Sequence, residues 1–282
     1  MTKQEHSTNL RDQRAKPIGV FDSGIGGLTV VRALLERLPH ENIVYFGDTA
    51  RVPYGPKSPA VVREYAADDI DILLQHDVKI VVVACNTVSA VALDVVQARA
   101  RMPVIGVIVP GAQAAARATT RKRVGVIGTY ATINSNSYIN ALRHIDPSVV
   151  AYPQPCPLFV PLAEEGWITH EVTRTIAKEY LFPLTLQKID TLILGCTHYP
   201  VLREAIAGAV GPTVTLIDSG EATAEEVVRV LTGEDLLNSS AHRPNLQFFV
   251  SDIPTKFTEV GERFLGRTLG KVRKVPVGEQ RR

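Results

Sequence analysis

Ile193-Leu194-Gly195-Cys196-Thr197-His198-Tyr199-Pro200 closes an apolar run that begins at Thr191. A short apolar run stopped by a glycine, with a cysteine, a threonine and a histidine following at once, is how a buried strand ends in a polar turn. The chain holds a second stretch of this kind, Ile80-Val81-Val82-Val83-Ala84-Cys85-Asn86-Thr87. Two strand-end cysteines, one in each half, predict two thiols facing a single cleft.

The rest of the chain reads as the frame for that pair. Ile18-Gly19-Val20-Phe21 is a first strand, ending in Asp22-Ser23-Gly24-Ile25-Gly26-Gly27. A helix follows with Leu28, Val31, Leu34, Leu35 and Leu38 on one face, and Pro39 stops it. Ile43 to Phe46 is a second strand, followed by a long polar loop from Gly47 to Pro59 and a helix from about Ala60 to Gln75. After the first cysteine strand come a helix through Val96 and a strand from Val104 to Val109, closed by Pro110-Gly111.

The second half repeats the order. Arg123-Val124-Gly125-Val126-Ile127-Gly128-Thr129 matches Pro17 to Ser23, Cys196 matches Cys85, and Thr213 to Asp218 matches Val104 to Val109. This is an internal duplication with a period too long for a solenoid. It predicts two similar α/β domains with mostly parallel sheets, related by a pseudo-twofold, with the site in the interdomain cleft. The expected boundaries are 17–111 plus 224–282 for the first domain and 112–223 for the second, with 1–16 a disordered leader and the basic stretch from Lys271 a frayed terminus. The strand at Gln247 to Val250 and the helix at Thr255 to Leu265 are expected to return to the first domain.

Composition narrows the function classes. The chain has 282 residues, 45% of them hydrophobic, and a net charge of +2, with no clustered basic stripe for nucleic acid. No apolar run approaches the roughly 20 residues of a membrane span, and the polar first 16 residues lack the apolar core of a secretory signal. The expectation is a cytoplasmic protein whose three cysteines stay reduced and free to react.

Ligands of parallel sheets bind at the carboxyl ends of the strands, where every polar motif above lies. Asp22 to Gly27 is neither a dinucleotide fingerprint nor a phosphate-binding P-loop. It remains a helix N-terminus whose amides suit a small carboxylate, with Asp22 beside it to meet an ammonium group. His198 is placed to tune or relay a proton at Cys196. Metal-ligand spacing is absent, so no metal is expected, and no cofactor motif is present. Cys156, between Pro155 and Pro157, reads as structural. Two thiols across one cleft fit a racemase, in which a thiolate takes a proton from one face of a carbon and a thiol delivers one to the other. Two alternatives stay open: a carboxylate-binding sensor without chemistry, and a thiol redox switch.

Phe21 to Thr29, Pro53-Tyr54-Gly55-Pro56, Ala84-Cys85-Asn86-Thr87 and Gly195 to Pro200 resemble the signatures of bacterial glutamate racemases, of the aspartate/glutamate racemase family. The resemblance runs from about Pro17 to Val275. It implies a cofactor-independent enzyme that interconverts L- and D-glutamate and supplies D-glutamate for peptidoglycan, with an aspartate or related amino-acid racemase as the alternative. By the same resemblance Cys85 would take the α-proton of D-glutamate and Cys196 that of L-glutamate. Asp22 would assist near Cys85, His198 near Cys196, and Glu164 would support His198, with Glu165 beside it as a rival. Ser23, Tyr54, Gly55, Asn86, Thr87 and Thr197 would hold the substrate together with Asp22 and His198, and Thr129 is a weaker binding candidate. The expected partner is glutamate alone, with no nucleic acid and no membrane; a homodimer is kept open.

Overall fold

The computed structural model describes residues 12–240 and 243–278. In the first half, strands β1 (Ile18–Asp22), β2 (Ile43–Gly47), β3 (Ile80–Val83) and β4 (Val104–Gly106) alternate with helices α1 (Leu28–Arg37), α2 (Pro59–Leu74), α3 (Asn86–Val91) and α4 (Leu93–Arg99). Helix α5 (Ile108–Ala118) crosses to the second half. There β5 (Arg123–Gly128), β6 (Val150–Pro155), β7 (Thr191–Gly195) and β8 (Thr215–Asp218) alternate with α6 (Tyr130–Asn134), α7 (Ser137–Ile145), α8 (Phe159–Glu164), α9 (Glu171–Leu186) and α10 (Arg203–Val210). Helix α11 (Ser219–Gly233) leads back, and β9 (Leu246–Val250), α12 (Pro254–Leu265) and β10 (Val272–Lys274) end the described chain.

The strands form a six-stranded sheet, β10-β9-β2-β1-β3-β4, and a four-stranded sheet, β6-β5-β7-β8. Every pairing is parallel. The order β2-β1-β3-β4 recurs as β6-β5-β7-β8, so β3 and β7 are equivalent strands and Cys85 and Cys196 follow equivalent ends. The apolar runs are continuous because both faces of each sheet are covered. Ile18 and Val20 pack with Leu28, Leu34, Leu231 and Phe264 on one face of the first sheet. Phe21 packs with Val62, Ile70 and Val88 on the other, following the two-residue period of a strand.

Several expectations need correction. The strand expected over Val104 to Val109 stops at Gly106, and Pro110-Gly111 lies inside α5 rather than ending a strand. Pro110 stands in the first turn, where a backbone N–H has no intrahelical partner to lose, so the alanine-rich sequence after it keeps its helix. The expected boundaries at 111/112 and 223/224 both fall inside helices, α5 and α11, which pack against each other. The expected helix through Val96 is two helices broken at Ala92.

The disordered leader was expected to reach residue 16. Residues 1–11 lie outside the described residues, but 12–15 are helical. They are held because Arg14 pairs with Asp235 at 2.5 Å and the Arg14 carbonyl accepts from Lys79 Nζ at 2.6 Å. The terminus from Lys271 is not frayed throughout either: β10 pairs with β9, and β9 pairs with β2, which returns the tail to the first sheet. Residues 279–282 lie outside the described residues.

Candidate active site

The first half contributes its strand-end turns. Cys85 leaves β3 in extended backbone and stands at the N-cap of α3. Its Sγ lies 3.4 Å from Ser23 Oγ, which comes from the turn after β1. That turn is fixed by Asp22 Oδ2, which accepts from the Gly24 amide at 3.0 Å, and by Tyr45 OH, which donates to the Gly24 carbonyl at 2.8 Å. Burial, with the Asp22 carboxylate adding to it, pushes the Cys85 thiol up to about 12. Cys85 is therefore a protonated thiol at neutral pH. Asp22 is itself wholly buried, which raises its carboxyl, and its Oδ1 has no partner among the described residues.

The second half contributes Cys196, directly after β7, with its Sγ 3.9 Å from His198 Nδ1. The other ring nitrogen, Nε2, lies 3.0 Å from Glu164 Oε1 at the end of α8. Burial alone would lower the imidazole; the hydrogen bonds to Cys196 and Glu164 outweigh it and raise His198 to about 10. Burial would raise Glu164, but its hydrogen bond and attraction to His198 bring it below the usual range. Of the two adjacent glutamates, Glu165 is exposed and Glu164 is the one that bonds to the histidine. Cys156 is buried, with its Sγ 3.6 Å from the Gln154 carbonyl.

The two halves meet at close quarters. A Cβ on Gly26 would come within 2.5 Å of His198 Nδ1 and would also strike Thr197 Oγ1, so only glycine fits there. Thr29 Oγ1 lies 3.0 Å from the Thr197 carbonyl. The start of α3 is tied to the second half through Thr87 Oγ1, 3.0 Å from Thr129 Oγ1, and through Asn86 Oδ1, which accepts from Tyr138 OH at 2.7 Å.

Between the halves lies a cavity of about 440 Å³. Both Cys85 and Cys196 line it, with Ser23, Tyr54, Gly55, Asn86, Thr87, Thr129, Glu164, Thr197 and His198. Of the candidate residues, Asp22 and Glu165 are not on the wall; Asp22 sits behind Ser23 and Cys85. Sequence reasoning missed Val52, Pro53, Pro56, Tyr130, Pro157, Val160 and Pro161, which give the cavity its apolar surface. Pro53 and Pro56 flank the Tyr54-Gly55 motif, and that adjacency was the available signal. The Tyr54 hydroxyl bonds to the buried acids Asp48 and Asp69.

The arrangement offers two thiols on one enclosed volume, each with its own polar neighbours, and an imidazolium–carboxylate pair beside one of them. No group of three or more histidine, cysteine or acidic side chains among the described residues could hold a metal ion. The family model described as Asp/Glu/Hydantoin racemase matches residues 18–227. The chain belongs to the Asp/Glu racemase family. It is 53% identical to the glutamate racemase of Neisseria meningitidis serogroup A over 266 residues, 94% of this chain and 98% of that protein. Glutamate racemase from Francisella tularensis, solved in complex with D-glutamate, superposes with a TM-score of 0.87 at 43% identity, covering 93% of this chain and 98% of that one. The Escherichia coli glutamate racemase, solved with L-glutamate and the activator UDP-MurNAc-ala, gives a TM-score of 0.77 at 28% identity, over 93% of this chain and 99% of that one. In this family member the two cysteines follow equivalent strands, β3 and β7, of the two sheets.

Proposed function

We propose that this chain interconverts L- and D-glutamate by proton transfer between Cys85 and Cys196, without a cofactor. The observation that carries the reading is the placement of two buried thiols, from equivalent strand ends of the two halves, on the wall of one cavity. Glutamate as substrate is supported by its presence, as the D- and the L-enantiomer, in the two solved relatives.

In the L-to-D direction the Cys196 thiolate takes the α-proton, and the Cys85 thiol returns a proton to the opposite face. The protonated state of Cys85 suits it to act first as the acid. His198, held as a cation by Cys196 and Glu164, is placed to exchange a proton with Cys196 Sγ. The α-proton of an amino acid is weakly acidic, so charge developing on the substrate carboxylate must meet donors already in position. Ser23, Asn86, Thr87 and Thr197 are the polar side chains on the cavity wall that would hold the substrate, together with the backbone of Tyr54 and Gly55. Asp22, buried behind Cys85 and off the cavity wall, would assist through that thiol. The product D-glutamate would serve peptidoglycan synthesis in the cytoplasm. No helix among the described residues is long and apolar enough to cross a membrane.

The test is the circular dichroism of either pure enantiomer incubated with the enzyme and no added cofactor. Decay of the signal to zero from both sides is expected, with Cys85→Ser and Cys196→Ser each lowering the rate by at least about a thousandfold. A stable signal with tight glutamate binding would point instead to a sensor.

A further inference from the structure

Tyr54 stands on the cavity wall, yet its hydroxyl is committed elsewhere. It lies within hydrogen-bonding distance of Asp48 Oδ2 and, at 3.0 Å, of Asp69 Oδ2. Asp48 and Asp69 are both wholly buried. Arg51 is the cation of the cluster, with Nε 2.5 Å from Asp48 Oδ2, Nη2 2.8 Å from Asp69 Oδ1 and Nη1 2.8 Å from Asp68 Oδ2.

Counting protons decides the charge states. A tyrosine hydroxyl carries one proton and can donate it to one carboxylate only. If both acids were ionised, the second would face the lone pairs of the phenol oxygen with no hydrogen between. Asp48 is the better ionised member, because Arg51, Tyr54 and Ser251 Oγ (2.8 Å from Oδ1) all donate to it. Among the described residues, Asp69 has Arg51 on Oδ1 and only the phenol oxygen on Oδ2. A proton on Asp69 Oδ2 satisfies every one of these contacts and leaves one guanidinium facing two carboxylates instead of three.

We propose that Asp69 is a neutral carboxylic acid that donates to Tyr54, which donates in turn to ionised Asp48, and that this chain, capped by Arg51, positions the Tyr54-Gly55 wall of the substrate cavity. Burial and the neighbouring Asp48 carboxylate push Asp69 in the same direction, well above the usual carboxylate range. The chain spans three elements: Asp48 follows β2, Asp69 lies in α2, and Ser251 follows β9. It therefore fixes the loop to the first sheet. On the far side the loop meets the second half, where the Gly55 carbonyl accepts from the Ala131 amide at 3.1 Å. A Cβ on Gly55 would lie 2.9 Å from the Thr129 side chain. Arg51 and Asp69 are positioning residues, and their effect on substrate rests on the racemase reading of the cavity.

The experiment compares Asp69→Asn, Asp69→Leu and Arg51→Met. Infrared spectra of protein with carbon-13-labelled aspartate, at neutral pH, should show a carboxylic-acid carbonyl band in the wild type that is missing from Asp69→Asn. Asparagine copies a neutral acid, with N–H for O–H, so Asp69→Asn should keep KM for glutamate within about threefold. Asp69→Leu and Arg51→Met should raise KM about tenfold or more, with kcat changed less. No difference in the acid band, or an Asp69→Asn variant as impaired as Asp69→Leu, would overturn the proposal. The infrared arm needs no turnover, so it separates failure of this proposal from failure of the racemase reading, which an inactive wild type would show.

Discussion

His198 Nε2 lies 3.0 Å from Glu164 Oε1, joining the turn after β7 to the end of α8, and this bond faces away from Cys196. A carboxylate on one ring nitrogen sets the proton affinity of the other, so the pair reaches the thiol through the imidazole.

Glu164→Gln should uncouple that relay. Nitrogen-detected titration of labelled histidine should place the wild-type His198 midpoint near 10 and show a lower one in the variant. Racemisation should fall roughly tenfold, since a charge-assisted hydrogen bond becomes a neutral one.

The same pair makes stability depend on pH with a defined sign. Folding raises His198 from 6.5 to about 10, so its stabilising contribution is fully present below 6.5 and lost as pH rises to 10. Glu164 is lowered from 4.5, so its contribution is present above 4.5 and lost as pH falls through its folded value. The Tm difference between wild type and His198→Gln should accordingly be largest between about 4.5 and 6.5 and shrink toward 10. A gap that widens with rising pH would be the wrong sign.

Gly26→Ala should injure catalysis more than folding. The added methyl would collide with Thr197 and His198 of the other half, so relief requires the two walls of the site to separate. The expected outcome is a loss of about tenfold or more in kcat/KM, with a melting curve that remains cooperative.

Tyr138→Phe removes the hydroxyl that donates to Asn86 Oδ1, while Asn86 Nδ2 already lacks a partner among the described residues. The amide is then buried with neither end bonded. Denaturant unfolding should show a loss of about 1–3 kcal/mol, the cost of leaving a buried polar group unsatisfied.

The parts of the fold legible in the sequence are those written in one local pattern. The apolar runs ending at Cys85 and Cys196 fixed both central strands, and the repeated order revealed the duplication. The second half was harder to read. Val150-Ala151-Tyr152-Pro153-Gln154-Pro155 hides a strand behind two prolines. It is an edge strand: the Val150 and Cys156 amides bond to the Lys122 and Gly128 carbonyls of the neighbouring chain segment, so by the two-residue alternation Pro153 and Pro155 turn their nitrogens toward the open side. Val104 to Val109 misled because Ile108 and Val109 continue an apolar run across a change from strand to helix. In the site, residue types at strand ends were readable, but partners far apart in sequence were not. Nothing local distinguishes Glu164 from Glu165, or shows that Asp48 and Asp69 take the Tyr54 hydroxyl.

The central claim is that two different thiols serve the two faces of one carbon, and early-time reaction of L-glutamate in deuterated water tests it most directly. With Cys196 removing the proton and Cys85 delivering one that has exchanged with solvent, the first D-glutamate formed should carry deuterium at Cα. The remaining L-glutamate should keep its hydrogen. D-glutamate that retains the original α-hydrogen, or L-glutamate that gains deuterium as fast as product forms, would contradict the account by placing one base at both faces.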